Sequence, residues 1–210
     1  MRPNADPLDF VHQYVPGRAG QETTLLLLHG TGGDEYSMQE VGEMLAPRAG
    51  RLSPRGKALE GDMPRFFRRL SEGVFDQEDL EVRTHELADF VQAAANEYGF
   101  DPKQVIAVGY SNGANIAASL LLRRPETLSA AVLFHPQLPF EPETHPDLSG
   151  VPIFLGAGRH DHLVPVANTE RLAALLRESG ADVTLYWQGG GHALSDAELD
   201  AAREWLSERR

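Results

Sequence analysis

Val105-Ile106-Ala107-Val108 runs into Gly109-Tyr110-Ser111-Asn112-Gly113, and an alanine- and leucine-rich pattern (Ala117, Ala118, Leu120, Leu121, Leu122) begins directly afterwards. A β-branched apolar run, a Gly-x-Ser-x-Gly and a helical pattern spell a strand, a sharp turn and a helix. So tight a turn forces its central residue into a cramped backbone conformation, and positions 109 and 113 must lack a Cβ to let strand and helix approach. Ser111 is then expected at the carboxyl end of a strand, above a helix N-terminus whose N–H groups face any oxyanion that forms there. The 20 glycines in 210 residues make the pattern alone no more than suggestive. Its setting carries the argument.

That setting repeats along the chain. Residues 8–16 alternate weakly and read as an edge strand ending at Pro16 and Gly17. Thr23 to His29 is a continuous apolar run, the mark of a strand buried on both faces. It empties into Gly30-Thr31-Gly32-Gly33-Asp34, which reads either as a plain tight turn or as a loop that brings a backbone N–H to a ligand. A helix is expected over about 37–47, capped by Ser37 or Asp34, with Met38, Val41, Met44 and Leu45 inward. Residues 48–80 are the least regular part, a long connection of the kind that is usually functional or partly helical. Its phenylalanines Phe66, Phe67 and Phe75 read equally well as pocket wall, with Arg65, Arg68 and Arg69 at the rim, or as ordinary core. A helix over 79–98 stops at Gly99. Later strands are expected at 130–134, 151–158 and 183–187, with helices at about 167–179 and 195–208.

Strands alternating with helices, with no repeat or linker, specify one doubly wound α/β domain over 1–210, its mostly parallel sheet covered by helices on both faces. In such sheets function gathers at the carboxyl ends of the strands. The loops after 29, 110, 134, 158 and 187 all belong to that edge. No large insertion between strands supplies a lid.

A serine hydroxyl is a poor nucleophile at neutral pH unless a base takes its proton, and the usual base is a histidine held in one tautomer by a carboxylate. In this kind of fold the expected chain order is Ser, then Asp or Glu, then His. Asp161 and His192 satisfy it, each directly after a strand, whereas Asp147 and Asp182 do not follow one. The N–H groups of Thr31 and Asn112 are the expected oxyanion donors. His29 reads as a buried residue fixing the glycine loop, and His135 as a pocket residue with Leu138 and Leu163. His160-Asp161-His162 invites a metal reading, but alternate residues of an extended segment point to opposite sides, so no metal or other cofactor is expected.

Composition narrows the partners. A net charge of −12 disfavours a nucleic-acid surface and suits small neutral or weakly charged molecules. Cysteine is absent, which removes disulfides, thiolate metal sites and a thiol nucleophile. No apolar run follows Arg2 and none later approaches membrane-spanning length, so neither a secretory signal nor a membrane anchor is expected and the cytoplasm is the default location.

Gly-Tyr-Ser-Asn-Gly, His-Gly-Thr-Gly-Gly-Asp at 29–34, Gly-x-x-Asp-x-x-Val-Pro around Asp161 and Gly-His at 191–192 together resemble the phospholipase/carboxylesterase group of α/β-hydrolases. Met63 to Asp76 is further similar to hydrolases associated with hydroquinone and quinone resistance. The resemblance implies a carboxylesterase acting on small to medium esters, often as a homodimer. Dienelactone hydrolases are more distantly similar, and their cysteine nucleophile has no counterpart here. An acyl thioesterase or lysophospholipase, and a binding protein that keeps the fold without catalysis, are the alternatives.

Overall fold

The computed structural model describes residues 7–209, so the N-terminal stretch read for a secretory signal lies almost wholly outside the described residues. Along the chain come β1 (His12–Val15), β2 (Thr24–Leu28), α1 (Gln39–Leu45) and β3 (Gly50–Pro54). Two short hairpins follow, β4 (Ala58–Glu60) with β5 (Met63–Arg65) and β6 (Arg69–Ser71) with β7 (Val74–Phe75). Then come α2 (Gln77–Tyr98), β8 (Val105–Tyr110), α3 (Asn112–Arg123), β9 (Ala130–Phe134), β10 (Pro152–Gly158), α4 (Val166–Glu178), β11 (Asp182–Gln188) and α5 (Asp196–Ser207).

The main sheet runs β1-β3-β2-β8-β9-β10-β11. Only β1 is antiparallel to its neighbour; the others pair in parallel. The apolar run at β2 shows why: Leu26 and Leu28 pack into one core with α2, α3 and α4, while Leu25 and Leu27 pack into a second core with α1 and α5. A strand that must feed two cores cannot alternate apolar with polar.

From β2 the chain steps out to β3 and later returns to β8 on the other side of β2. The reversal leaves a crevice at the carboxyl ends of β2 and β8, where Leu28 pairs with Gly109. The glycine loop and the serine turn leave the sheet side by side there.

Two local expectations need correction. α1 is shorter than the sequence pattern suggests, and neither Ser37 nor Asp34 caps it: Met38 holds the N-cap position without a side-chain bond. Those two side chains bond within the preceding turn, where Asp34 Oδ1 accepts from the Tyr36 N–H and the Ser37 hydroxyl. Met44, expected inward, lies within the helix and is exposed. α2 begins two residues early because Asp76 caps it, accepting from the Asp79 N–H, and Gly99 ends it at φ 74°. Tyr98, at the end of α2, stacks on Tyr14 with ring centroids 4.3 Å apart.

Candidate active site

The turn after β8 has the strain that its sequence demands. Ser111 sits at φ 52°, ψ −115°, a conformation that costs a non-glycine residue about 1–3 kcal/mol and persists only where the surroundings enforce it. Its N–H donates to the Phe134 carbonyl at 2.9 Å and its own carbonyl accepts from the Asn115 N–H at 2.9 Å. A Cβ on Gly113 would overlap the Leu28 carbonyl, and one on Gly109 would press on the backbone at 113 and 114. Both glycines are therefore required by close approach, not by φ.

The imidazole of His192, delivered by the loop after β11, lies with Nε2 2.8 Å from Ser111 Oγ. Its Nδ1 lies 2.7 Å from Asp161 Oδ2, on the loop after β10. A carboxylate can only accept, so Nδ1 carries the proton and Nε2 presents a lone pair to the serine hydroxyl. The other oxygen, Asp161 Oδ1, accepts from the Leu163 and Val164 N–H groups at 2.8 and 3.0 Å. Burial raises the Asp161 pKa, but the His192 bond, the two N–H groups and the His192 charge outweigh it, so the carboxyl is held below its ordinary range. The two loops lock together: the His160 N–H donates to Gly190 O at 2.9 Å, and a Cβ on Gly158 would overlap the Gly191 carbonyl.

His135 is more deeply involved than a pocket residue. It too has φ 52°, it is buried, and its Nδ1 reaches the same Asp161 Oδ2 at 3.1 Å while Nε2 meets Glu198 Oε2 at 3.2 Å. Burial presses its pKa down, yet the Glu198 bond and charge, followed by those of Asp161, prevail and raise it. Glu198 escaped the sequence reading. Ser195-x-x-Glu198 looks like an ordinary helix-capping box, and Ser195 does accept from the Glu198 N–H, but the carboxylate turns inward to His135. The signal that could have found it is Gly156, where any Cβ would overlap Glu198 Oε1. By distance alone His135, Asp161 and His192 could hold a metal ion, their ligand atoms lying within 4.8 Å of one another. Each imidazole instead has a nitrogen within bonding distance of the shared Asp161 oxygen.

His29 is buried, as expected, and fixes the glycine loop. Its Nε2 accepts from the Gly56 N–H at 3.0 Å, so Nδ1 carries the proton and donates to Gly30 O at 2.7 Å. Burial holds its pKa below the ordinary value, which suits that neutral form.

A cavity of about 290 Å³ opens beside Ser111. Thr31, Asn112, Phe75, His135 and Leu163 line it with Ser111 and His192. Asn112 opens α3, so its N–H has no acceptor one turn back in the helix. Three of the expected pocket residues do not line the cavity. Phe66 and Phe67 are core residues, 2% and 0% exposed, against His29 and Phe75 respectively. Leu138 packs against the same core, its N–H bonded to Asn168 Oδ1. Arg68, expected at the rim, turns out to solvent and pairs with Asp76.

The reason is how the hairpins attach. The Gly32 N–H donates to Pro64 O at 2.9 Å, the Phe66 N–H to Asn112 Oδ1 at 2.7 Å, and Arg65 Nη1 to Thr31 Oγ1 at 2.6 Å. This stitching turns the aromatic rings beneath the segment and leaves Arg65 and Arg69 facing the cavity.

The Dienelactone hydrolase family model matches residues 57–205. MhqD of Bacillus subtilis (strain 168), a protein that carries the name of a hydrolase, is 50% identical over 94% of this chain and 98% of its own length. The crystal structure of the Bacillus cereus carboxylesterase superposes with a TM-score of 0.92 at 44% identity, covering 94% of this chain and 93% of that one. The structure of YahD with malic acid gives 0.89 at 34% identity, covering 94% and 98%. The architecture is thus that of the α/β-hydrolase carboxylesterases, with no large lid.

Proposed function

Since the chain belongs to the dienelactone hydrolase family and is a hydrolase of the esterase type, we propose that it is a serine carboxylesterase, a single domain that cleaves small carboxylic esters through an acyl-enzyme. The observation that carries this reading is the unbroken series Ser111 Oγ, His192 Nε2, His192 Nδ1, Asp161 Oδ2, with links of 2.8 and 2.7 Å. The family's cysteine is not needed, because a hydroxyl in contact with an oriented imidazole can do the same work.

In this mechanism His192 Nε2 takes the Ser111 proton as Oγ bonds to the ester carbon, and the Thr31 and Asn112 N–H groups hold the oxyanion. The ester C–O bond then breaks, and His192 returns the proton to the departing alcohol. Water, deprotonated by the same nitrogen, releases the acid and restores the serine. Asp161 stays ionised throughout and stabilises the imidazolium. No cofactor, nucleic acid or membrane enters the reading. A small cavity and a relative solved with malic acid both support small, water-soluble substrates. A cytoplasmic location and a homodimer rest on the sequence reading and its resemblance alone, and cell fractionation and light scattering test them.

Hydrolysis of a chromogenic butyryl ester by wild type and by Ser111→Ala tests the proposal. Activity lost in the variant supports it; activity fully retained refutes it. Butyryl against dodecanoyl esters and thioesters separates it from a thioesterase or lysophospholipase, which would favour the longer chain.

A further inference from the structure

Behind Asp161 lies a buried pair of ionisable groups that the hydrolytic steps leave unused. His135 follows β9 and Glu198 stands in the first turn of α5, and neither side chain has any exposure to solvent. Both are held there at a cost. The left-handed φ of 52° at His135 is strained for a residue other than glycine, and its N–H is tied to Gly156 O at 2.7 Å. Glu198 reaches in over Gly156, where a Cβ would leave it no room, and its Oε1 has no hydrogen-bond partner among the described residues. A buried carboxylate is tolerable only where an opposite charge answers it.

The imidazole of His135 supplies that charge by bridging two carboxylates. Nδ1 lies 3.1 Å from Asp161 Oδ2 and Nε2 lies 3.2 Å from Glu198 Oε2. Carboxylate oxygens only accept, so both ring nitrogens carry protons and the ring is a cation. Gln188 offers it no acceptor: its Nε2, 3.4 Å from His135 Nε2, donates to the Ala193 and Gly191 carbonyls at 2.8 and 3.3 Å. The other titratable rings against it are His192, with centroids 5.2 Å apart, and Tyr110 at 6.1 Å.

Asp161 Oδ2 thus receives two donors, His192 and His135, while Oδ1 receives the Leu163 and Val164 N–H groups. Three of these four donors are independent of His192, and the carboxylate would lose them by rotating away from it. A lone cation beside Asp161 would cancel the charge that stabilises the His192 imidazolium. Glu198 offsets that cation, so the four groups keep the single negative charge that Asp161 alone would supply.

We propose that His135 and Glu198 are a positioning pair for Asp161: His135 pins Oδ2 on the His192 Nδ1–H, and Glu198 holds His135 in its bridging orientation and balances its charge. The proposal rests on the serine-esterase reading and adds to it two residues whose side chains are closed to substrate.

Steady-state hydrolysis of the butyryl ester by the full chain tests it in the Glu198→Gln background, where the amide still gives His135 Nε2 a partner and no buried charge is orphaned. Adding His135→Asn keeps a donor near the Nδ1 position, and asparagine accepts a left-handed φ. Adding His135→Ala removes the donor. The first is expected to exceed the second in kcat by about 10-fold or more, the scale of a hydrogen bond to a charged group, with like KM values. Glu198→Ala, which releases His135 Nε2, should likewise fall severalfold below Glu198→Gln in kcat. Melting temperatures above the assay temperature ensure that folded enzymes are compared. His135→Gly, unstrained at φ 52° and equally without a donor, replaces the alanine variant if that fails to fold. Values of kcat within about 3-fold of each other in the His135 comparison, below the scale of such a bond, or a difference carried by KM, overturn the positioning pair while turnover by the variants leaves the esterase reading intact. A wild type that leaves the ester uncleaved overturns both.

Discussion

The loops at the carboxyl ends of β8, β10 and β11 and the hairpins between β3 and α2 meet over one cavity, yet they were not equally readable. The loops carry the residue types that the proposed mechanism demands, Ser111, Asp161 and His192, and glycines that their close packing demands. The hairpins carry arginines and phenylalanines whose roles are decided only by which way the segment faces. On the proposed mechanism, reactivity is written in residue identities, while the lining of the cavity is written in orientation.

If that division holds, changes in the loops should abolish turnover without altering preference. Asp161→Asn is expected to lower kcat by roughly 10⁴-fold, because the amide favours the wrong His192 tautomer. Steady-state kinetics checks this. A loss below 10-fold would mean that His135 or another group orients the base.

Gly113→Ala should be the most damaging structural change in the turn. The new Cβ would overlap the Leu28 carbonyl, and relief by backbone movement is expected to cost about 1–3 kcal/mol or more. Thermal unfolding reads the stability, and the chromogenic ester reads the accompanying loss of rate. An unchanged midpoint would show that β2 and α3 are not in contact as described.

Thr31→Val probes the stitching between the hairpins and the glycine loop after β2. It removes the acceptor for Arg65 Nη1 while keeping the side-chain volume, and an unsatisfied buried donor costs about 1–3 kcal/mol. The expected result is a roughly 10-fold fall in kcat/KM on neutral esters. No change would separate the hairpins from the glycine loop.

The smallest expected effect concerns the buried ladder behind the loops. The His135 pKa is raised in the folded state, so the stability it contributes is fully present below its unfolded pKa and is lost as pH rises through the folded value. Glu198→Gln weakens that contribution. Its melting temperature should fall furthest below wild type on the acid side, with the gap narrowing as the medium becomes alkaline. A gap that widens with pH would mean that His135 is neutral in the fold.

The sequence reading recovered the alternation of strands and helices, because strands buried on both faces are continuous apolar runs and their helices end at glycines such as Gly99 and Gly180. It placed the serine turn for a steric reason that the positions of Gly109 and Gly113 satisfy. It misplaced Phe66, Phe67 and Leu138, since an aromatic or leucine in an irregular segment looks the same whether it turns to a cavity or to the core. It missed Glu198, whose helical spacing fits a cap as well as a buried ion pair. The left-handed φ of His135 has no sequence mark, because residues other than glycine adopt it only under tertiary constraint.

The account depends most on Ser111 being activated by its neighbours. Incubation of the protein with a fluorophosphonate, followed by mass spectrometry of its peptides, tests this directly. A single covalent adduct on Ser111, lost in His192→Ala, is the predicted result. No adduct, or one on a different residue, would contradict it.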